Sequence, residues 1–120
     1  MGYSPCTRME KGKIMTKSEV LEELGKMIKS YSFQGRSRRD SARNKYADDP
    51  NSYSADLDIN LAEDYETAVE WLEKVSQEIK WDYDDSETFV IKESSDGWVK
   101  KWIHVYGSGY LIDTVEAPLY

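Results

Sequence analysis

The sequence predicts an α+β domain, with two amphipathic helices packed on a three-stranded antiparallel meander in two layers. Three observations carry this reading. Apolar residues recur at spacings of three and four over Val20–Tyr31 and again over Leu61–Ile79. The last third of the chain switches to short β-rich runs separated by turn residues. A length of 120 residues suffices for one hydrophobic core and is too little for two.

Residues 1–15 have no period and are punctuated by Gly2, Pro5 and Gly12. They are expected to form a flexible N-terminal arm or one short added strand. Thr16 and Glu19 then make a T-x-x-E capping box. Val20, Leu21, Leu24, Met27, Ile28 and Tyr31 share one stripe, which predicts a helix of about four turns. Glu22 and Lys26 lie one turn apart on its outer side, in the favourable order. Residues 32–58 lose the period. They carry Arg36, Arg38, Arg39, Arg43 and Lys45, then Pro50 among Asp, Asn and Ser. A long loop at 32–58 is expected, with at most a short basic helix around Arg38–Tyr46.

The second helix is the better supported. Asn60 reads as its cap, Glu63 as its third position, and Leu61, Tyr65, Ala68, Leu72, Val75 and Ile79 keep the period for about five turns. Strands are expected at Thr88–Glu93, Trp98–Tyr106 and Tyr110–Val115. Ser94-Ser95-Asp96-Gly97 and Gly107-Ser108-Gly109 supply the turns. Such short turns join neighbouring antiparallel strands. The single domain therefore spans 16–120.

Composition narrows the function mainly by exclusion. Hydrophobic residues make up 39% and charged residues 32%, with four Trp, nine Tyr and two Phe to fill a core. No apolar run approaches the roughly 20 residues a bilayer span needs. The first fifteen residues lack the apolar stretch of a secretory signal. The lone Cys6 suits a reducing compartment. A cytoplasmic protein is expected, in a bacterial cell or an infected host. One Cys and one His (His104) argue against a structural zinc site, and Asp82, Asp84 and Asp85 lack the spacing of a calcium loop. No metal or cofactor is expected. Nucleotide-binding, hydrolase-elbow and zinc-protease motifs are absent, and a Cys6/His104 dyad has no orienting third group. The expectation is that the protein is not an enzyme.

Charge carries more information. The net charge of -7 divides into eleven basic and five acidic residues over 1–46, against five basic and eighteen acidic over 47–120. Such a chain is a poor general binder of nucleic acid and suits a basic protein surface. Glu63, Glu66, Glu70 and Glu73 fall on the outer side of the second helix, one carboxylate about every 5 Å, with Asp82, Asp84 and Asp85 beyond. On the middle strand, Trp98, Lys100, Trp102, His104 and Tyr106 alternate with Val99, Lys101, Ile103 and Val105. The aliphatic side seats the helices. The aromatic side is then a binding patch, unless the arm or the 32–58 segment folds over it, the two faces are reversed, or a homodimer buries it.

The expected function is that of a small acidic non-catalytic protein that occludes a basic surface of a partner protein. Its contact residues would be Glu63, Glu66, Glu70, Glu73, Asp82, Asp84, Asp85, Trp98, Trp102 and Tyr106. Settings that use such proteins include phage- or mobile-element-encoded inhibitors of nucleic-acid enzymes (anti-CRISPRs and nucleic-acid mimics) and toxin-immunity proteins. The alternative is a nucleic-acid-binding accessory protein that grips phosphate through Arg36, Arg38, Arg39 and Arg43. Those arginines equally well fold against the chain's own acids.

Overall fold

The computed structural model describes residues 13–97 and 99–119. In chain order they form α1 (Lys17–Asp48), α2 (Tyr53–Asp82), β1 (Phe89–Ser95), β2 (Lys100–Gly107) and β3 (Tyr110–Pro118). The helices make an antiparallel hairpin, and the strands make an antiparallel sheet in the order β1-β2-β3. This is the expected two-layer α+β fold.

α1 starts where its capping box predicts. The Glu19 amide donates to Thr16 Oγ1 at 3.2 Å, and the Thr16 amide donates to Glu19 Oε1 at 2.9 Å. The reciprocal bonds satisfy two of the free donors at the helix start. Lys26 pairs with Glu23 at 3.1 Å, rather than with Glu22. Of the arm expected at 1–15, residues 1–12 lie outside the described residues. Met15 makes an antiparallel bridge to Phe89, with mutual amide bonds of 2.8 and 2.9 Å.

The long loop expected at 32–58 is wrong. α1 runs 32 residues, to Asp48, and α2 begins at Tyr53, not after Asn60. The connection is only 49–52. Ser52 caps α2, its Oγ accepting from the Ala55 amide at 3.1 Å. The turn residues around Pro50 are a genuine stop signal, but a short one. On both sides of them the helices continue because each supplies small residues to the other. Gly35, Ala42, Ala55 and Ala62 are buried. A Cβ on Gly35 would come within 3.4 Å of Tyr65 Cβ, so the backbones approach closely there. Burial through Gly and Ala leaves almost no hydropathy period.

The main core lies between the inner face of the sheet and the first half of the hairpin. Leu24, Leu72, Ile79, Phe89, Ile103 and Val105 are fully buried in it. Burying each of these side chains stabilises the fold by about 2 kcal/mol in transfer free energy. Tyr65 closes the core at mid-hairpin. Its hydroxyl donates to Gln34 Oε1 at 2.9 Å, and burial pushes its phenol pKa up. Lys17 ties the start of α1 to the end of α2 by donating to the carbonyls of Lys80 and Tyr83 at 2.9 and 2.7 Å. A cation there also opposes the negative end of the helix dipole.

The strands depart from expectation at their ends and at a register shift between β2 and β3 at Val105/Tyr106. β2 starts at Lys100, so Val99 stands outside the ladder, 59% exposed, and does not join Ile103 and Val105 on the inner face. β3 runs on to Pro118, which carries Ala117 into the core. Ser108 and Gly109 both have positive φ (53° and 91°), as a two-residue type I′ hairpin turn requires.

The sheet covers only part of the hairpin. Core residues on α1 end at Tyr31 and on α2 begin at Tyr65. Beyond them the stretch Gly35–Ala62 projects as a bare helix pair. The Cα radius of gyration is accordingly 17.2 Å, against about 14 Å for a compact domain of this length.

Candidate functional site

The projecting half of the hairpin decides which charges are engaged internally. Asp58 is 3% exposed. Its Oδ1 accepts from Arg38 Nη1 at 3.1 Å, and its Oδ2 accepts from Lys45 Nζ at 2.8 Å and Ser41 Oγ at 2.9 Å. The Lys45 bond leads in holding the Asp58 carboxyl below its ordinary value, with Ser41 and Arg38 adding and burial opposing. Arg39 forks onto Glu66, with Nη2 2.7 Å from Oε1. That pair lowers the Glu66 pKa and raises that of Arg39. Arg43 lies 3.7 Å from Asp40. Of the four arginines in the alternative anion site, Arg38 and Arg39 are thus bonded to acids of α2. Arg36 is exposed beside Glu66 and Glu70.

The acids divide in the same way. Glu66 is engaged, whereas Glu63, Glu70 and Glu73 are exposed and have no ion pair among the described residues. Steps of three, four and three residues keep all four glutamates on one narrow sector of α2. Asp82 ends the helix, and the turn after it holds Asp84 and Asp85. Asp84 Oδ2 accepts from Ser86 Oγ at 3.2 Å, and Asp85 lies 3.5 Å from Lys17 Nζ. Trp81 was missed by the sequence reading. It lies about five turns from Glu63, and therefore on the same side of α2. It is 73% exposed. Its Nε1–H donates to Gln77 Oε1 at 2.9 Å, and Lys80 Nζ sits 5.4 Å from the ring centroid. Counting turns forward from Glu63 would have found it.

The outer face of the sheet is the second candidate surface. Trp98 lies outside the described residues. Trp102 and Tyr106 are half-buried there. The 32–58 segment does not fold over them, because it is helical and belongs to the other layer. Lys92 Nζ lies 4.9 Å from the Tyr106 ring centroid. The His104 ring is held between Ser94 Oγ and Thr114 Oγ1, each 3.1 Å from a ring nitrogen. Cys6, the other member of the dyad, lies outside the described residues.

Where this face meets α2, an open pocket of about 490 Å³ is lined by Asp64, Thr67, Lys100, Trp102, Thr114 and Glu116. Lys100 Nζ lies 3.4 Å from Asp64 Oδ2 and 3.4 Å from Glu116 Oε1. Burial alone would depress the Lys100 pKa, but the two carboxylates outweigh it and leave the pKa raised. Asp64 and Thr67 carried no signal in the sequence. Only the docking of α2 beside β3 brings them to Trp102.

Among the described residues no group of three His, Cys, Asp or Glu side chains is placed to hold a metal ion. No described helix is long and apolar enough to cross a membrane. Compared with protein families, curated proteins and solved structures, the chain matches none.

Proposed function

We propose that this chain is a non-catalytic binding protein that presents the outer stripe of α2 to a basic surface of a partner protein and occludes it. One observation carries the reading. Arg38, Arg39 and Lys45 are engaged with Asp58 and Glu66, and Glu63, Glu70 and Glu73 are exposed without an ion pair among the described residues. Trp81 at the end of the stripe adds an exposed aromatic group, a side-chain type favoured at binding hot spots. Long-range attraction would speed the encounter, and aromatic burial would slow dissociation. A nucleic-acid enzyme is a natural target, since its groove is built to receive closely spaced negative charge. The alternative through the arginines has less support. Arg38 and Arg39 already donate to Asp58 and Glu66, whose charges offset the attraction they would offer a phosphate.

The test is capture of a partner from the native cell at low and at high salt, with wild type and with Glu63→Lys/Glu70→Lys/Glu73→Lys. The reading predicts a salt-sensitive partner that the triple variant fails to capture. Equal capture by both proteins would remove the stripe from the mechanism.

A further inference from the structure

We infer that the face of the helical hairpin turned away from the sheet pairs with the same face of a second copy of this chain, acidic stripe on basic stripe. Helical turns define that face. Asp64 reaches Lys100 on the sheet, and Leu72 and Ile79 lie in the core. Glu73, Glu63 and Glu70 stand nine residues from these three in turn, about two and a half turns, and so on the opposite side of α2. On α1, Val20 lies in the core and Met27 lines a cleft with Ile91 of β1. Lys29 and Arg36 stand nine residues on from them, and Arg43 seven further along the same side. All six side chains are exposed. Among the described residues Lys29 and Arg36 have no ion pair. Arg43 has only Asp40, 3.7 Å away, with both side chains over two-thirds exposed.

Such a face is its own complement. The Arg39–Glu66 bond fixes the relative level of the two helices. Because they run antiparallel, Arg43 then stands level with Glu63 and Arg36 with Glu70, each to within about one residue, and Lys29 lies about three residues beyond Glu73. A two-fold axis along the groove between α1 and α2 keeps every level and exchanges the helices. It lays Lys29, Arg36 and Arg43 of one copy on Glu73, Glu70 and Glu63 of the other. The perpendicular two-fold would set basic on basic, so charge selects one arrangement. All neighbouring helices in it are antiparallel, as in a four-helix bundle, with the sheets outermost. The size also fits. Helices of 32 and 30 residues are about 45 Å long and together roughly 20 Å wide. The face thus offers roughly 900 Å² per copy, against about 800 Å² per partner in a stable interface. The groove at its centre is open, about 360 Å³, and lined by Ser32, Arg36, Glu66, Val69 and Glu70. The pairing needs only the two stripes. Because it covers Glu63, Glu70 and Glu73, it masks the surface proposed above until a basic partner displaces the second copy, and only this masking rests on that reading.

The test is sedimentation equilibrium of the full chain at low and high salt, with the variants Lys29→Glu/Arg36→Glu/Arg43→Glu and Glu63→Lys/Glu70→Lys/Glu73→Lys. Wild type should show twice the chain's mass at low salt and the single mass at high salt. Each variant alone should stay monomeric, since like charges then face each other across the axis. An equimolar mixture of the two should regain the doubled mass at low salt, which chains that had failed to fold could not do. Reversing all six residues in one chain should restore the dimer as well. A monomeric wild type at low salt, or a dimer in either variant alone, would overturn the pairing. So would a mixture and a six-residue reversal that both stay monomeric. A monomeric wild type with stripe-dependent capture intact would remove the second copy alone. A salt-sensitive dimer without stripe-dependent capture would keep the pairing and remove the reading above.

Discussion

The two halves of the helical hairpin are built from the same pair of helices and hold together by different means. In the half under the sheet, Leu24, Leu72, Val75 and Ile79 bury large apolar side chains against Phe89, Ile103 and Val105. In the projecting half, Gly35, Ala42, Ala55 and Ala62 allow the backbones to approach, and Asp58 joins α2 to three side chains of α1. Apolar burial is insensitive to register in fine detail, because Leu and Val tolerate repacking. A buried carboxylate with three fixed donors is not. The comparison teaches that a long helix pair can outrun its hydrophobic core when small residues remove the steric obstacle and one ionic clamp fixes the alignment.

The sharpest way to break this comparison is to remove a large side chain from the covered half. Leu72→Ala should cost about 3 kcal/mol by cavity formation. Chemical denaturation should show the loss as a single cooperative shift. In the projecting half, Asp58→Ala should cost less, about 2 kcal/mol, since Arg38 and Lys45 are over a third exposed and regain water. Its signature should be local. Amide exchange should quicken over Gly35–Ala42 and Ala55–Ala62 and stay slow at Leu72–Ile79. A loss spread evenly over both halves would contradict the division.

Acid should have the same local effect. The Asp58 pKa is depressed in the folded chain, so its contribution is fully present above the ordinary aspartate value and is lost as pH falls through the lower folded value. Exchange in the projecting half should therefore accelerate below the usual aspartate range before the covered half responds. The smallest effect is expected at the turn. Ser52→Ala removes the cap of α2 and should cost about 1 kcal/mol, with fraying confined to the residues that follow.

The two halves also differ in how readable they are. The covered half was legible because its burial uses Val, Leu, Ile and Tyr at helical spacing, and the strands because their turns carry Gly at the required positions. The projecting half was not legible. Ala and Gly contribute little to an apolar period, and Arg38, Ser41 and Lys45 look like solvated polar residues until Asp58 is placed opposite them. The acidic stripe was visible as a pattern. Which acids stay free was not, because nothing local tells that Arg39 reaches Glu66 while Arg36, beside both Glu66 and Glu70, makes an ion pair with neither among the described residues. Long-range pairing of this kind, over 27 residues, leaves no local mark.

The claim that the free acids of α2 make the contact is tested most directly by association rates with the captured partner at two salt concentrations. Three proteins should be compared: wild type, Glu63→Lys/Glu70→Lys/Glu73→Lys, and the swap Arg39→Glu/Glu66→Arg, which inverts the engaged pair and leaves the free acids in place. The account predicts fast, salt-dependent association for wild type and for the swap, and slow, salt-insensitive association for the triple variant. Association as fast and as salt-dependent in the triple variant as in wild type would contradict it.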